Sequence, residues 1–214
     1  KVDGKTLFDE FSRGRYSTDA SVYQIKPLGV VLPKDTNDVL SLMEYSQKNS
    51  VPLLARGGGS SQCGQTVGES VVLDYSKHQN KILELNVEEK YVWVQPGVVL
   101  DHLNAYLKPH GLWFPVDVST SSRATIGGMS ANNSCGSRSL YYGNMVHNVL
   151  AIEAILDDGS IFQFDQINKN YLATKNNQDR LYKIIDKFID VRQKVGSEID
   201  ANWPTTQRRV GGYN

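Results

Sequence analysis

The sequence predicts an α+β fold in two lobes: a small α/β lobe, then a larger one with a mostly antiparallel sheet and flanking helices. Two observations carry this. Early apolar runs alternate with a helical pattern, strand then helix then strand, whereas later runs face each other across short polar turns. With 214 residues, 40% hydrophobic and 21% charged, the chain can bury a core and has the composition of a folded protein.

Leu28 to Leu32, bounded by Pro27 and Pro33, reads as a strand, and Thr36 is placed to N-cap a helix carrying Val39, Leu42 and Met43. Pro52 to Ala55 and Val71 to Leu73 read as two further strands, separated by a glycine-rich loop. Ile82 to Leu85 and Tyr91 to Val94 flank the polar Glu88-Glu89-Lys90 as an antiparallel pair. Leu100, Leu103 and Leu107 share a helical face that Pro109 and Gly111 end. Val149 to Leu156 and Ile161 to Phe164 flank Asp157-Asp158-Gly159-Ser160, a hairpin signal. Leu181, Ile184, Ile185, Phe188 and Ile189 predict a helix over roughly Gln178 to Val195. Trp203 to Asn214 has no periodicity, as expected of a fragment. The expected divisions are an N-terminal extension (1–15), a first lobe (16–76), a second lobe (77–202) and a tail (203–214) leading to a missing domain.

Lys plus Arg and Asp plus Glu both total 23, so no global field draws the chain to nucleic acid. No apolar run approaches the ~18 to 20 residues of a membrane span. Lys1 to Arg15 lacks the apolar region of a signal peptide, which points to a cytoplasmic protein. Cys63 and Cys135 show no Cys-x-x-Cys spacing, and His78, His102, His110 and His147 form no ligand pattern, so no metal site is expected. The carboxylate pairs Glu88-Glu89 and Asp157-Asp158 read as solvated turns. Arg208-Arg209 reads as a solvated tail pair or as a fork for a substrate carboxylate.

Arg56-Gly57-Gly58-Gly59-Ser60-Ser61-Gln62-Cys63-Gly64 follows a strand directly, and its glycines permit positive φ and close approach of a ligand to backbone N–H groups. A flexible loop is the competing reading. Gly59 to Thr66 nearly matches the triphosphate loop G-x-x-x-x-G-K-[ST], but Gln65 stands where the lysine must be, which argues against ATP or GTP hydrolysis. No G-x-G-x-x-G with its acidic partner is present. A second segment, Ala124 to Gly136, has almost no large side chains, as expected where a flat ring lies on the backbone; tight helix packing would produce the same composition.

Taken in order, the motifs resemble the FAD domains of the vanillyl-alcohol oxidase and p-cresol methylhydroxylase superfamily. They are YSTDAS at Tyr16 to Ser21, P-x-x-x-x-D-V at Pro33 to Val39, RGGGSS at Arg56 to Ser61 and PG at Pro96-Gly97. TIGG at Thr125 to Gly128, NNSCGSRSLYYG at Asn132 to Gly143 and the DDG hairpin complete the series. Within the superfamily they resemble the glycolate oxidase, D-lactate dehydrogenase and D-2-hydroxyglutarate dehydrogenase branch, and most of all its large members with a C-terminal iron–sulfur module.

The resemblance implies a two-lobed FAD-binding domain of p-cresol methylhydroxylase type. Arg56, Gly57, Gly58, Gly59, Ser60, Ser61 and Gln62 would line the FAD pyrophosphate, with Gly58 at positive φ. Pro115, Asp117 and Ser119 would pass beneath the flavin. Thr125, Gly127, Gly128, Ala131, Asn132, Ser134 and Gly136 would continue the cradle, with Gly143 and Val149 towards the adenosine. Ser60 and Ser61 occupy the place of a flavin-linking histidine, which implies non-covalent FAD. The implied activity is oxidation of a D-2-hydroxy acid (D-lactate, glycolate or D-2-hydroxyglutarate) by hydride transfer to FAD. Electrons would leave to an acceptor or to an iron–sulfur cluster in the missing C-terminal module. Catalytic and substrate-binding residues would lie beyond this chain, as would any peripheral membrane attachment. A flavin reductase or oxygen-using oxidase of the same fold, or a non-catalytic nucleotide-binding module, are the alternatives.

Overall fold

The computed structural model describes residues 1–167 and 180–206. Its first unit is a four-stranded sheet in the order β1-β2-β4-β3, made of β1 (Lys5–Leu7), β2 (Gly29–Leu32), β3 (Leu53–Arg56) and β4 (Val71–Asp74). β2, β4 and β3 run parallel, and β1 adds an antiparallel edge. The strands are short apolar runs because they are covered: Val30, Val31, Val72 and Leu73 are almost wholly buried. Residues 1–15, expected as an extension, thus supply an edge strand and the short helix α1 (Glu10–Arg15).

Helix α2 (Thr36–Asn49) crosses from β2 to β3 and packs Val39 and Leu42 on Val31 and Leu73. Its N-cap is Asp35 and not Thr36. The Asp35 carboxylate accepts from the N–H groups of Asn37 (2.9 Å) and Asp38 (3.2 Å), and the chain is still extended at Asp35, leaving Thr36 as the first helical residue.

The next unit begins with the hairpin β5 (Ile82–Asn86) and β6 (Tyr91–Val94), bulged between Ile82 and Glu84. Helix α3 (Leu100–Leu107) covers it, burying Leu103 and Leu107 with Val98 against Ile82, Leu85, Val92 and Val94. Pro109 lies in a 3₁₀ turn (Lys108–His110), and Gly111 closes it at φ 69°. Three short helices follow: α4 (Ile126–Ala131), α5 (Ser139–Tyr142) and α6 (Met145–Asn148). Leu100, Val116, Ala124, Met129 and Met145 form the core beneath them.

The last hairpin, β7 (Ile152–Ile155) with β8 (Ile161–Phe164), is shorter than the apolar run because Val149 is spent as the C-cap of α6. Among the described residues the antiparallel pairing of this half is two separate two-stranded sheets. The hairpin turns back on the first unit: Ile155 packs against the cluster of Val31, Val39, Leu42 and Leu73, and Gln47 on α2 donates to the Asp157 carbonyl. Helix α7 (Arg180–Asn202) runs past Val195, and Pro204 stops it. Arg180 at its start pairs with Asp157 and Asp158, so that acidic pair is tied to a cation. Gln178 and Arg208-Arg209 lie outside the described residues.

Candidate cofactor-binding site

Strand β3 ends at Arg56, whose carbonyl accepts from Tyr75 N–H at 3.1 Å, and the glycine loop begins at once. The Arg56 guanidinium turns back under the loop. It donates to the carbonyls of Tyr16 (3.3 Å), Thr18 (2.8 Å) and Thr66 (3.1 Å), and lies 5.2 Å from the centre of the Tyr16 ring. The Tyr16 hydroxyl donates to buried Asp74 at 2.6 Å, and Thr66 donates to Asp19 at 3.0 Å, so the YSTDAS motif becomes the floor of the loop. Burial lowers the Arg56 pKa, while the charges of Asp19 and Asp74 oppose the shift. A half-buried cation thus sits directly below the glycines.

The three glycines serve different ends. Gly59 has φ 64°, and a Cβ there would lie 2.5 Å from Nη2 of Arg56, so the chain curls around the guanidinium at this residue. Gly58, expected at positive φ, does not adopt it. A Cβ on Gly58 would lie 2.2 Å from the Arg123 carbonyl oxygen, and one on Gly57 2.0 Å from Oγ1 of Thr125. These two glycines let the first loop touch the second segment. The backbone N–H groups of Gly58, Gly59, Ser60, Ser61 and Gln62 donate to no group of the chain among the described residues. A row of open donors over a cation suits a diphosphate.

The second segment is held by backbone bonds to the Pro96–Leu100 stretch that leads from β6 into α3. Leu100 N–H donates to Ala124 O (3.0 Å), Ile126 N–H to Val98 O (2.8 Å) and Gly127 N–H to Pro96 O (2.9 Å). Gly127 is required here because its Cβ would lie 2.5 Å from that of Pro96. Buried Thr125 precedes α4, with Gly128 exposed on the first turn and Ala131 and Asn132 exposed at its end. Ser134 links the segment onward, donating its N–H to Met129 O and accepting from Met145 N–H, both at 3.0 Å.

Gly136 meets the Pro115 to Ser119 stretch. Its Cβ would lie 2.2 Å from the carbonyl oxygen of Asp117. Asp117 accepts from the Ser137 hydroxyl (2.7 Å) and Arg138 N–H (2.9 Å); burial would raise its carboxyl, but these bonds hold it below the usual range. Pro115 is half-buried and Ser119 exposed. Gly143 takes φ 80° beside His147, and Val149 caps α6, so both stand at the far end of the segment.

The structure therefore brings Gly57 against Thr125, links Ser61 to Asn132 through Gln65, and sets Asp117 against Gly136. Sequence reasoning missed Arg123, which walls Gly58, and the bridging role of Gln65, whose Nε2 donates to Oδ1 of Asn132 at 2.8 Å. The near-match to the triphosphate loop was the available signal for Gln65. All four histidines are exposed, and His147 accepts from Asn144 N–H at 3.0 Å as a helix cap. Among the described residues no group of His, Cys, Asp or Glu could hold a metal, and both cysteines are free thiols.

Comparison with known proteins gives this geometry a family. The profile of the FAD binding domain matches residues 27–165. D-2-hydroxyglutarate dehydrogenase of Haemophilus influenzae is 42% identical over 155 residues, 71% of this chain and 15% of the relative. That of Pantoea ananatis is 37% identical over 219 residues, 99% of this chain and 21% of the relative. The glycolate oxidase subunit GlcD of Bacillus subtilis is 36% identical over 168 residues, covering 76% and 36%. The chain thus spans about a fifth of the length of the dehydrogenases. In fold it is similar to 6-hydroxy-D-nicotine oxidase from Arthrobacter nicotinovorans, with TM-score 0.68 at 17% identity over 77% of this chain and 36% of that one. The profile covers the three parallel strands of the sheet, both glycine segments and the final hairpin, and the chain belongs to the FAD binding domain family.

Proposed function

We propose that the chain is the FAD-holding portion of a larger dehydrogenase that oxidises a D-2-hydroxy acid, D-2-hydroxyglutarate, D-lactate or glycolate among them. The observation that carries this is the junction of the two glycine segments, where the N–H groups from Gly58 to Gln62 donate to no group of the chain among the described residues and the loop curls over the Arg56 guanidinium at Gly59. FAD bound there would supply the hydride acceptor. The chain's own residues bind and orient. Gly58 to Gln62 offer donors to the pyrophosphate, and Arg56 neutralises charge while remaining fastened to three carbonyls. Thr125 to Gly136 give a surface of small side chains for the ring system, and Pro115, Asp117 and Ser119 form its lower wall. Gly143 and Val149 take the adenosine side.

The substrate reading is supported by the named dehydrogenases that match along this chain. Groups that bind the acid, accept its proton or pass electrons to an iron–sulfur module or other acceptor belong to the rest of such a protein. Among the described residues no helix is long and apolar enough to cross a membrane. The site offers Ser60 and Ser61 and no histidine after the glycines, so the proposed attachment is non-covalent. The test is to purify the longer protein, record flavin absorbance, and bleach it anaerobically with a panel of D-2-hydroxy acids. Bleaching by one of them, and complete release of flavin on acid precipitation, are expected. A protein without flavin bands, or one that no hydroxy acid bleaches, would refute the proposal.

A further inference from the structure

We infer that Gln65 is the clasp that fastens the two glycine segments to each other and so sets how long FAD stays bound; this rests on the assignment of the cradle to FAD. The side chain uses both ends of its amide. Its Oε1 accepts from the Ser61 hydroxyl within the first loop, and its Nε2 donates to Oδ1 of Asn132, which ends α4 in the second segment. Ser61 and Asn132 lie 71 positions apart in the chain, and Gln65 bonds to both. Gly57 against Thr125 and Gly58 against Arg123 form the closed end of the cradle, so Gln65 joins the jaws at a second place. The departure from the triphosphate-loop pattern acquires a reason. A lysine at 65 could donate to Asn132 but could not accept from Ser61, whereas an amide does both.

Gln65 is a positioning residue, and its removal changes the rate at which the jaws part. In Gln65→Met of the flavin-loaded longer protein, FAD dissociation followed by flavin fluorescence should quicken about three- to ten-fold, the scale of one lost hydrogen bond between the segments. The apoprotein melt should fall by no more than a few degrees. Asn132→Ala should also quicken release, and adding Gln65→Met to it should change nothing further, because the clasp is already open. Unchanged release in Gln65→Met would overturn the clasp, as would multiplying effects in the double variant. A large fall in the apoprotein melt would overturn it too, making Gln65 a support of the fold. If the unsubstituted longer protein binds no FAD, the cofactor assignment falls and the clasp with it.

Discussion

At the scale of the residue, the glycine loop separates two reasons for having no side chain. Gly59 turns with positive φ, whereas Gly58 has an ordinary φ and faces the Arg123 carbonyl, 2.2 Å from where a Cβ would stand. Gly58→Ala should therefore destabilise the apoprotein by about 1 to 3 kcal/mol, the cost of overpacking against backbone that cannot step aside. A urea melt without FAD measures this, and a midpoint equal to that of the unsubstituted chain would show that the segments separate easily. The sequence announced that Arg56 to Gly64 excludes side chains, but three adjacent glycines are identical as letters. Which one turns, and which one touches a neighbour 65 residues away, depends on the second segment's path, and no local pattern encodes that path.

Among the elements, β1 is held by one carboxylate. Asp38, 4% exposed on the first turn of α2, accepts from the N–H groups of Asp3 (2.7 Å), Gly4 (2.9 Å) and Lys34 (2.8 Å). Burial would raise its carboxyl, but the three amides outweigh burial and hold it below the ordinary value. A depressed folded pKa gives stability that is present above the unfolded value near 4 and is lost as pH falls through the folded one. Asp38→Asn should cost about 1 to 3 kcal/mol at pH 7 and flatten the decline of the melting temperature between about pH 5 and 3. An equal decline in both proteins would place the acid-sensitive group elsewhere. This pin also explains what was legible. Helices α2, α3 and α7 and both hairpins announce themselves by periodicity and turn residues, because their apolar faces repeat. β1 is three residues long, and the amides before it are held by a side chain 34 and 35 positions away, so no window of sequence contains its cause. The short helices α4 to α6 are built on backbone contacts with Pro96, Val98 and Ser134 and carry too few turns for a stripe to show.

For the whole molecule, the proposed function makes the cradle one wall of a larger site; the matched dehydrogenases are about five times as long as the chain. The 214 residues alone should bind FAD more weakly than the longer protein and turn over no 2-hydroxy acid, because contacts missing from one side subtract directly from affinity. Steady-state assay with an artificial electron acceptor checks this; measurable turnover would place the reacting groups within this chain. One feature of the architecture also bears on how the molecule comes into being. Ile155 joins a core whose fully buried members end at Leu73 and whose other partly buried members end at Tyr75. A ribosome adding about 5 to 20 residues per second delivers Ile155 roughly 4 to 16 s after Leu73. Through that interval Val31 and Leu73 are sheltered by α2 and by Val2 and Tyr75 but lack Ile155, so the nascent chain carries an open apolar seam until the last hairpin is made.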